Sequence, residues 1–278
     1  MNYLVSSSQI SKSAACDKML ISRTNLYYQP RLPARDLELK SKIEVVMAEH
    51  KAYGCRRIAI ALEINHKRVY RIMKLFGLRP KKLRKKPRIK KDKFPINLRQ
   101  NLMANMVINQ PNQAWVSDFT YISYRSKFMY LATILDAFTR EVIAWNMSVR
   151  HNSELIAEAL IFALNKRNGM PQIFHSDQGS EYRSNSIVEI LKSKNIKISM
   201  SQKSSPWQNG KQESFYQKFK FELEDPNNYQ SQGELIEAIA LQIHYYNNKR
   251  IHSALKMPPA VFYERFKTEG DKRKILKY

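Results

Sequence analysis

Three acidic residues stand where a purely solvent-facing role fits poorly. Asp118 interrupts the apolar run Trp115 to Ile122, and its same-parity neighbours Val116, Thr120 and Ile122 are expected on a packed sheet face. A charge there is unfavourable unless it is paired or binds metal. Asp177 follows the short apolar strand Ile173 to His175 and opens a glycine-containing loop, a usual place for a reactive group in such sheets. Glu213 falls in the first turn of a helix whose stripe Phe215, Phe219 and Leu223 packs, leaving Glu213, Gln217 and Lys220 on another face. Acids from two strands and a helix can converge on an oxygen-rich site, which suits magnesium or manganese better than zinc. Two such ions about 4 Å apart can activate an attacking oxygen and stabilise a leaving one. Any single acid can equally be a turn, cap or salt-bridge residue. Asp136, which ends an apolar strand and could pair with Arg140, and Glu181, four residues after Asp177, are the named rivals. On composition and periodicity Glu213 stays one acid among several. His175, His244 and His252 lack helical metal-ligand spacing and read as structural or phosphate-contacting.

The elements that must hold these acids are strands and covering helices. Trp115 to Ile122, Phe128 to Asp136, Val142 to Val149, Gln172 to His175 and Ile196 to Met200 read as strands. The second and third are almost wholly apolar, so helices should cover both sheet faces. Ser153 to Arg167, with Ser153 as its cap, and Ser186 to Ser193 supply that cover, and a helical region runs from about Gly210 to Asn248. Short turns make the first three strands antiparallel, and strands reached through helices add in parallel. The expected class is α/β, a mixed sheet with flanking helices, and the order is compatible with a ribonuclease-H-like fold among other mixed folds.

Before the sheet, residues 41–78 read as three short helices, marked by Ile43, Val46 and Met47, by Arg57 to Leu62, and by Lys67 to Phe76. In the third, Val69, Ile72, Met73 and Phe76 form a buried stripe and Gly77 ends the helix, while Lys67, Arg68, Arg71 and Lys74 project elsewhere. That is the form of a helix-turn-helix reader, and equally of an ordinary solvated helix. From Arg79 to Lys93 ten of fifteen residues are basic, including Lys81, Lys82, Arg84, Lys85 and Lys86, with Pro80 and Pro87 opposing a helix. Sequence-independent phosphate binding is the simplest use of such density. The expected division is a weak helical segment at 1–40, with a second helix capped by Ser22, then 41–78, a basic linker at 79–110, the α/β domain at 111–265 and a basic tail at 266–278.

Composition supports a nucleic-acid partner: 48 Lys and Arg against 24 Asp and Glu leave a formal charge of +24. Cys16 and Cys55 lack the spacing of a zinc site or disulfide framework. The first twenty residues lack a signal peptide's apolar stretch, and no run approaches membrane-spanning length, so a cytoplasmic, nucleoid-associated protein is expected.

The wording around the acids resembles the OrfB-type transposases of the third family of bacterial insertion sequences, relatives of retroviral integrases in the DDE superfamily. Trp115-Val116-Ser117-Asp118-Phe119-Thr120-Tyr121-Ile122 is similar to the family's first-aspartate strand, and His175-Ser176-Asp177-Gln178-Gly179-Ser180-Glu181-Tyr182 to its second-aspartate loop. Glu213-Ser214-Phe215 is similar to its final-glutamate helix, with 35 residues between Asp177 and Glu213, the interval this superfamily favours. Tyr246 to Leu255 resembles the tail motif and Tyr53-Gly54-Cys55-Arg56-Arg57-Ile58 the helix-turn-helix entry. The stretch Ser201 to Trp207 departs from the commonest wording, and Trp207 there could stack on a base or simply pack.

The resemblance implies Asp118, Asp177 and Glu213 as catalytic metal ligands, two Mg2+ or Mn2+ ions, and strand transfer by attack of a DNA 3′ hydroxyl on a phosphodiester. Lys211, Lys218, Lys220 and Arg250 join the N-terminal cations as candidate DNA contacts. It further implies transposon-end and target DNA as partners, a homo-oligomer on DNA, and an OrfA-type upstream partner or frameshift fusion. A hydrolytic nuclease of the same fold and a non-catalytic DNA-binding regulator are the alternative readings.

Overall fold

The computed structural model describes residues 11–18, 20, 22, 32–81, 100–104, 106–167, 169–201 and 210–270. Lys82, Arg84, Lys85, Lys86, Trp207, the helix expected after Ser22 and most of the tail lie outside the described residues.

Three strands in series build the sheet's antiparallel half. β1 (Ala114–Tyr124) pairs with β2 (Lys127–Asp136), and β2 with β3 (Val142–Ser148), in the antiparallel sense expected of short turns. Helix α5 (Ser153–Lys166) then returns the chain to β4 (Ile173–Ser176), parallel to β1, and α6 (Asn185–Ser193) leads to β5 (Lys197–Met200), parallel to β4. The order is β3-β2-β1-β4-β5. Asn152, not Ser153, caps α5, its side chain accepting the Leu155 N–H.

The two faces of β1 enter different cores. Trp115 packs with Ala132 and Ile134 beneath α5 and α6. Ala114, Val116 and Ile122 pack instead under α7 (Gly210–Glu222) and α8 (Gln232–Asn248), against Phe215, Phe219 and Ile239. The helical region expected as one run is thus two helices, parted by a 3-10 turn at Pro226–Asn228 whose proline lacks the N–H a continuous helix needs. Leu102, Met103, Met106 and Ile108 also pack on this core. A final helix, α9 (Pro259–Glu269), closes on Phe138 through Phe262.

Ahead of the sheet, α1 (Lys12–Lys18) is followed by a three-helix unit of α2 (Leu32–Glu49), α3 (Cys55–Ala61) and α4 (His66–Leu75). Its core holds Leu39, Ile43, Ile58, Val69, Ile72 and Met73. Helix α2 begins at Leu32, and Leu39 within it packs in that core. Gly77 takes φ +66 just beyond α4, a conformation glycine adopts without penalty. The unit touches the catalytic half directly: Tyr53 Oη accepts the Ile251 N–H at 2.6 Å, and His50 Nδ1 lies 2.7 Å from Tyr245 Oη.

Candidate active site

The sheet sets two of the acids side by side. β1 and β4 run in parallel with Val116 opposite His175, and two residues further along each chain stand Asp118 and Asp177. Adjacent strands lie about 4.8 Å apart, so the two carboxylates leave neighbouring backbones. Glu213 is exposed in the first turn of α7, near enough for its charge to act on Asp118. Burial, then Asp177, and more weakly Glu213, push the Asp118 carboxyl up to about 7, against one backbone N–H, from Phe119 at 2.9 Å, that favours its charged form. Asp177 is raised by burial and by Glu181, opposed by the Gly179 N–H at 3.0 Å and by His151. No three His, Cys, Asp or Glu side chains among the described residues already stand close enough to enclose an ion.

Two residues that the sequence reading passed over fix α7 on the sheet. Gln212, fully buried, donates its two amide N–H groups to the carbonyls of Val116 at 2.7 Å and Thr133 at 3.1 Å. Tyr216, one turn on, donates to the carbonyl of Asp118 itself at 2.6 Å and accepts from Thr133 Oγ1 at 2.8 Å. Burial and the Asp118 charge hold its phenol protonated, keeping it a donor. Both lie in the helix that carries Glu213, so hydrogen bonds to the backbones of β1 and β2 fix that helix on the sheet beside Asp118. Tyr216 sits within an aromatic stripe that reads as apolar packing, and its hydroxyl, which needs a partner when buried, was the available clue.

The rivals separate by their partners. Asp136 accepts three backbone N–H groups, from Asn112 at 2.7 Å, Phe138 at 2.8 Å and Thr139 at 2.9 Å, and lies 3.6 Å from Arg167. It shapes the turn after β2, one of its two expected roles, its ion-pair partner is Arg167 just beyond α5 rather than Arg140, and its oxygens are taken. Glu181 stays near the trio. A Cβ on Gly179 would meet a Glu181 carboxylate oxygen at 2.8 Å and an Asp177 oxygen at 3.1 Å, so a larger residue there would have to push one of the two carboxylates aside. Glu181 itself pairs with His151 at 3.2 Å, whose ring packs against Phe119 and Tyr130.

His175 is buried with Nδ1 2.8 Å from Ser199 Oγ, and burial with the Lys211 charge pulls it down to about 4. His244 Nδ1 lies 3.2 Å from the Asn248 amide.

The candidate DNA contacts diverge. Arg68 and Lys74 are exposed on α4, whereas Arg71 is held by Asp36 of α2 through bonds of 2.8 and 2.5 Å. Lys81 donates to the Phe221 carbonyl at 3.3 Å, and Lys220 to that of Tyr121 at 2.6 Å. Lys211 and Lys218 are half-buried on α7, the latter donating to Ser214 Oγ at 2.8 Å. Arg250 is buried, and its guanidinium grips Glu222 by three bonds of 2.7 to 2.9 Å.

Two families described as Integrase core domain match the chain, over residues 108–206 and 194–259. The chain is 35% identical over 237 residues to the transposase for insertion sequence element IS904 of Lactococcus lactis, covering 82% of this chain and 94% of that protein. It is 29% identical over 229 residues to transposase InsF for insertion sequence IS3A of Escherichia coli, covering 77% and 80%. Among solved structures, a simian T-cell lymphotropic virus intasome is similar with a TM-score of 0.50 at 16% identity, over 80% of this chain and 74% of that one, which supports the ribonuclease-H-like fold. No helix among the described residues is long and apolar enough to cross a membrane. On the strength of that 35% identity over 82% of its length, the chain belongs to the IS3-family transposases, DDE enzymes that cleave DNA and transfer its strands.

Proposed function

We propose that Asp118, Asp177 and Glu213 are the catalytic acids of this transposase and that together they hold two divalent ions, Mg2+ or Mn2+. The observation that carries the assignment is the shared field at Asp118, whose carboxyl is raised by burial together with the negative charges of Asp177 and Glu213. Like charges gathered in a poorly solvated place, with all-oxygen donors, suit a hard dication. When bound, such ions supply charge neutralisation and an activated attacking oxygen at the phosphodiester.

The chain's own residues prepare that site. Gln212 and Tyr216 hold α7 at a fixed height, Gly179 lets the second-aspartate loop close beside Glu181, and the Gly179 N–H orients Asp177. Arg68 and Lys74, exposed on α4, are proposed as groove or phosphate contacts of the three-helix unit, with Lys211 near the acids. Joining two element ends calls for at least a dimer of this chain. An upstream OrfA-type product is proposed as a partner, and the bacterial cytoplasm as the place of action.

The test is a cleavage and joining assay on labelled element-end DNA with magnesium. Wild-type protein is expected to give nicked and strand-transfer products, and Glu213→Gln neither, with DNA binding nearly intact. Undiminished products from that variant overturn the assignment, and nicks without joined strands would instead favour a hydrolytic nuclease.

A further inference from the structure

Past the acids, β1 runs on as an edge. β4 pairs with β1 only as far as Val116 and His175 and ends at Ser176, so from Asp118 to Tyr124 no strand among the described residues lies on that side. Two aromatic rings stand open to solvent here. Tyr121 of β1 is 58% exposed and Phe128 of β2 54%, with centroids 5.2 Å apart in edge-to-face contact. Their register makes the pair: Phe128 is opposite Ser123, two residues beyond Tyr121, so the rings are diagonal neighbours on one sheet face. Further back the same face carries Trp115 beneath α5 and α6, and the two rings lie where that cover has ended. Neither ring belongs to the core on either side of the sheet, so packing does not account for them.

The hairpin that carries them is rigid and basic. Its two-residue turn, Arg125 and Ser126, takes φ +46 and +63, a left-handed backbone that Asn-Gly usually fills. Ties to the chain between α7 and α8 hold it there: the Arg125 N–H donates to Asn227 Oδ1 at 2.8 Å, and Tyr124 Oη to the Tyr229 carbonyl at 3.2 Å. Lys127 is exposed beside Phe128. From the other face Lys220 of α7 reaches round the strand edge, donating to the Tyr121 carbonyl at 2.6 Å with its ammonium 4.5 Å from the ring centroid. Two acids line the hollow beside Tyr121, and both are engaged: Glu224 lies 3.8 Å from Lys51, and Asp225 accepts the Asn227 N–H at 3.0 Å.

We propose that Tyr121 and Phe128 stack on unpaired bases of the DNA strand leaving the acids, with Lys127 and Lys220 meeting the flanking phosphates, so that the β1–β2 hairpin is a single-strand binding site. Tyr121 is three residues past Asp118 on β1, about 10 Å along the strand, which about three stacked nucleotides span. Every base offers a flat apolar face and every linkage a negative charge, and rings set between cations match both. A protein partner would need the rings alone, whereas lysines on either side of them favour a polyanion.

The site rests on DNA as substrate and not on which acids hold metal, so it is tested in chelator. The full chain is titrated with fluorescent element-end duplexes that are blunt, carry a short single-stranded extension on either strand, or carry the same extension with abasic sites. Wild type is compared with Tyr121→Ala, Phe128→Ala, Tyr121→Trp and Lys127→Gln, and with Phe162→Ala, whose ring is 57% exposed on α5, as control. Each alanine variant of the hairpin is expected to bind the extended duplex about tenfold more weakly and the blunt one almost unchanged, as loss of one stacked base does. Abasic sites should bring wild type down to the level of those variants and leave the variants where they are. Tyr121→Trp should keep the affinity and have its added fluorescence quenched by the extension. Lys127→Gln should reduce the slope of log K against log salt on extended DNA by about 0.7, the value for one phosphate of a single strand, and the alanine variants should not change it. Wild-type affinity that ignores abasic sites, or equal losses on blunt and extended DNA or in Phe162→Ala, overturn the proposal. So does a wild-type dimer that Tyr121→Ala dissociates at unchanged affinity for DNA, which would make the face an interface between copies of the chain. Should Tyr121→Ala unsettle β1, Phe128→Ala and Tyr121→Trp carry the test.

Discussion

Asp118 and Asp136 lie on adjacent antiparallel strands, are both withdrawn from solvent, and do opposite things. Asp136 is saturated, with three backbone N–H groups and Arg167 fixing the turn after β2. Asp118 has one N–H and two repelling carboxylates. Burial is common to both, so burial does not mark the chemical acid. What distinguishes it is unspent acceptor capacity among like charges, a condition that is unfavourable for the protein alone and that a cation relieves.

The most decisive way to break this comparison is to remove charge at each site. Asp118→Asn is expected to lower strand transfer by at least about a thousandfold, the scale of losing a group that acts in the transition state, while the protein stays folded. Circular dichroism and the joining assay check both halves, and a folded, fully active variant would place the chemistry elsewhere.

The same substitution should stabilise the chelated protein in a pH-dependent way. Below about pH 4 the carboxyl is protonated in folded and unfolded chains alike. Between about 4 and about 7 the unfolded chain releases a proton that the fold retains, so wild-type stability falls relative to the variant, by up to roughly 4 kcal/mol. Denaturant unfolding across that range measures it, and a difference that does not change with pH refutes the shared-field account.

At the other aspartate, Asp136→Asn should cost about 3 kcal/mol, because it leaves Arg167 buried without its full counter-charge. Activity per folded molecule should be preserved. A specific fall in kcat with unchanged stability would restore Asp136 as a rival metal ligand.

Smallest in stability is Tyr216→Phe, expected to cost about 1 to 2 kcal/mol for the hydrogen bond accepted from Thr133 Oγ1 and the one donated to the Asp118 carbonyl. Because that bond ends on the Asp118 carbonyl, kcat should fall about tenfold or more with KM little changed, since small misplacements of a catalytic group are amplified in rate. Equal, small losses in both quantities would mark the tyrosine as packing alone.

Much of this architecture was legible beforehand. The five strands, the antiparallel-then-parallel pattern and the stripe Phe215, Phe219 and Leu223 follow from apolar periodicity, which is local and survives without knowledge of neighbours. Boundaries and caps were less so: Asn152 rather than Ser153 caps α5, and Pro226 marks a break inside what reads as one helical region. The acid trio was picked out by its flanking words and its spacing, not by charge.

What the sequence determined by itself is therefore the set of elements, the family and the identity of the candidate acids, because these rest on residue order and period. Partnership was decided only in three dimensions. Arg250 sits in a strongly basic chain and reads as a DNA contact, yet Glu222, twenty-eight residues earlier at the end of α7, claims it. Arg57 and Lys218, distant in sequence, are brought into one field by the docking of the three-helix unit on the catalytic half. Electrostatic and hydrogen-bond energies depend on distance and burial, which chain order does not encode, so whether a charged residue is spent or available could be settled only by the fold.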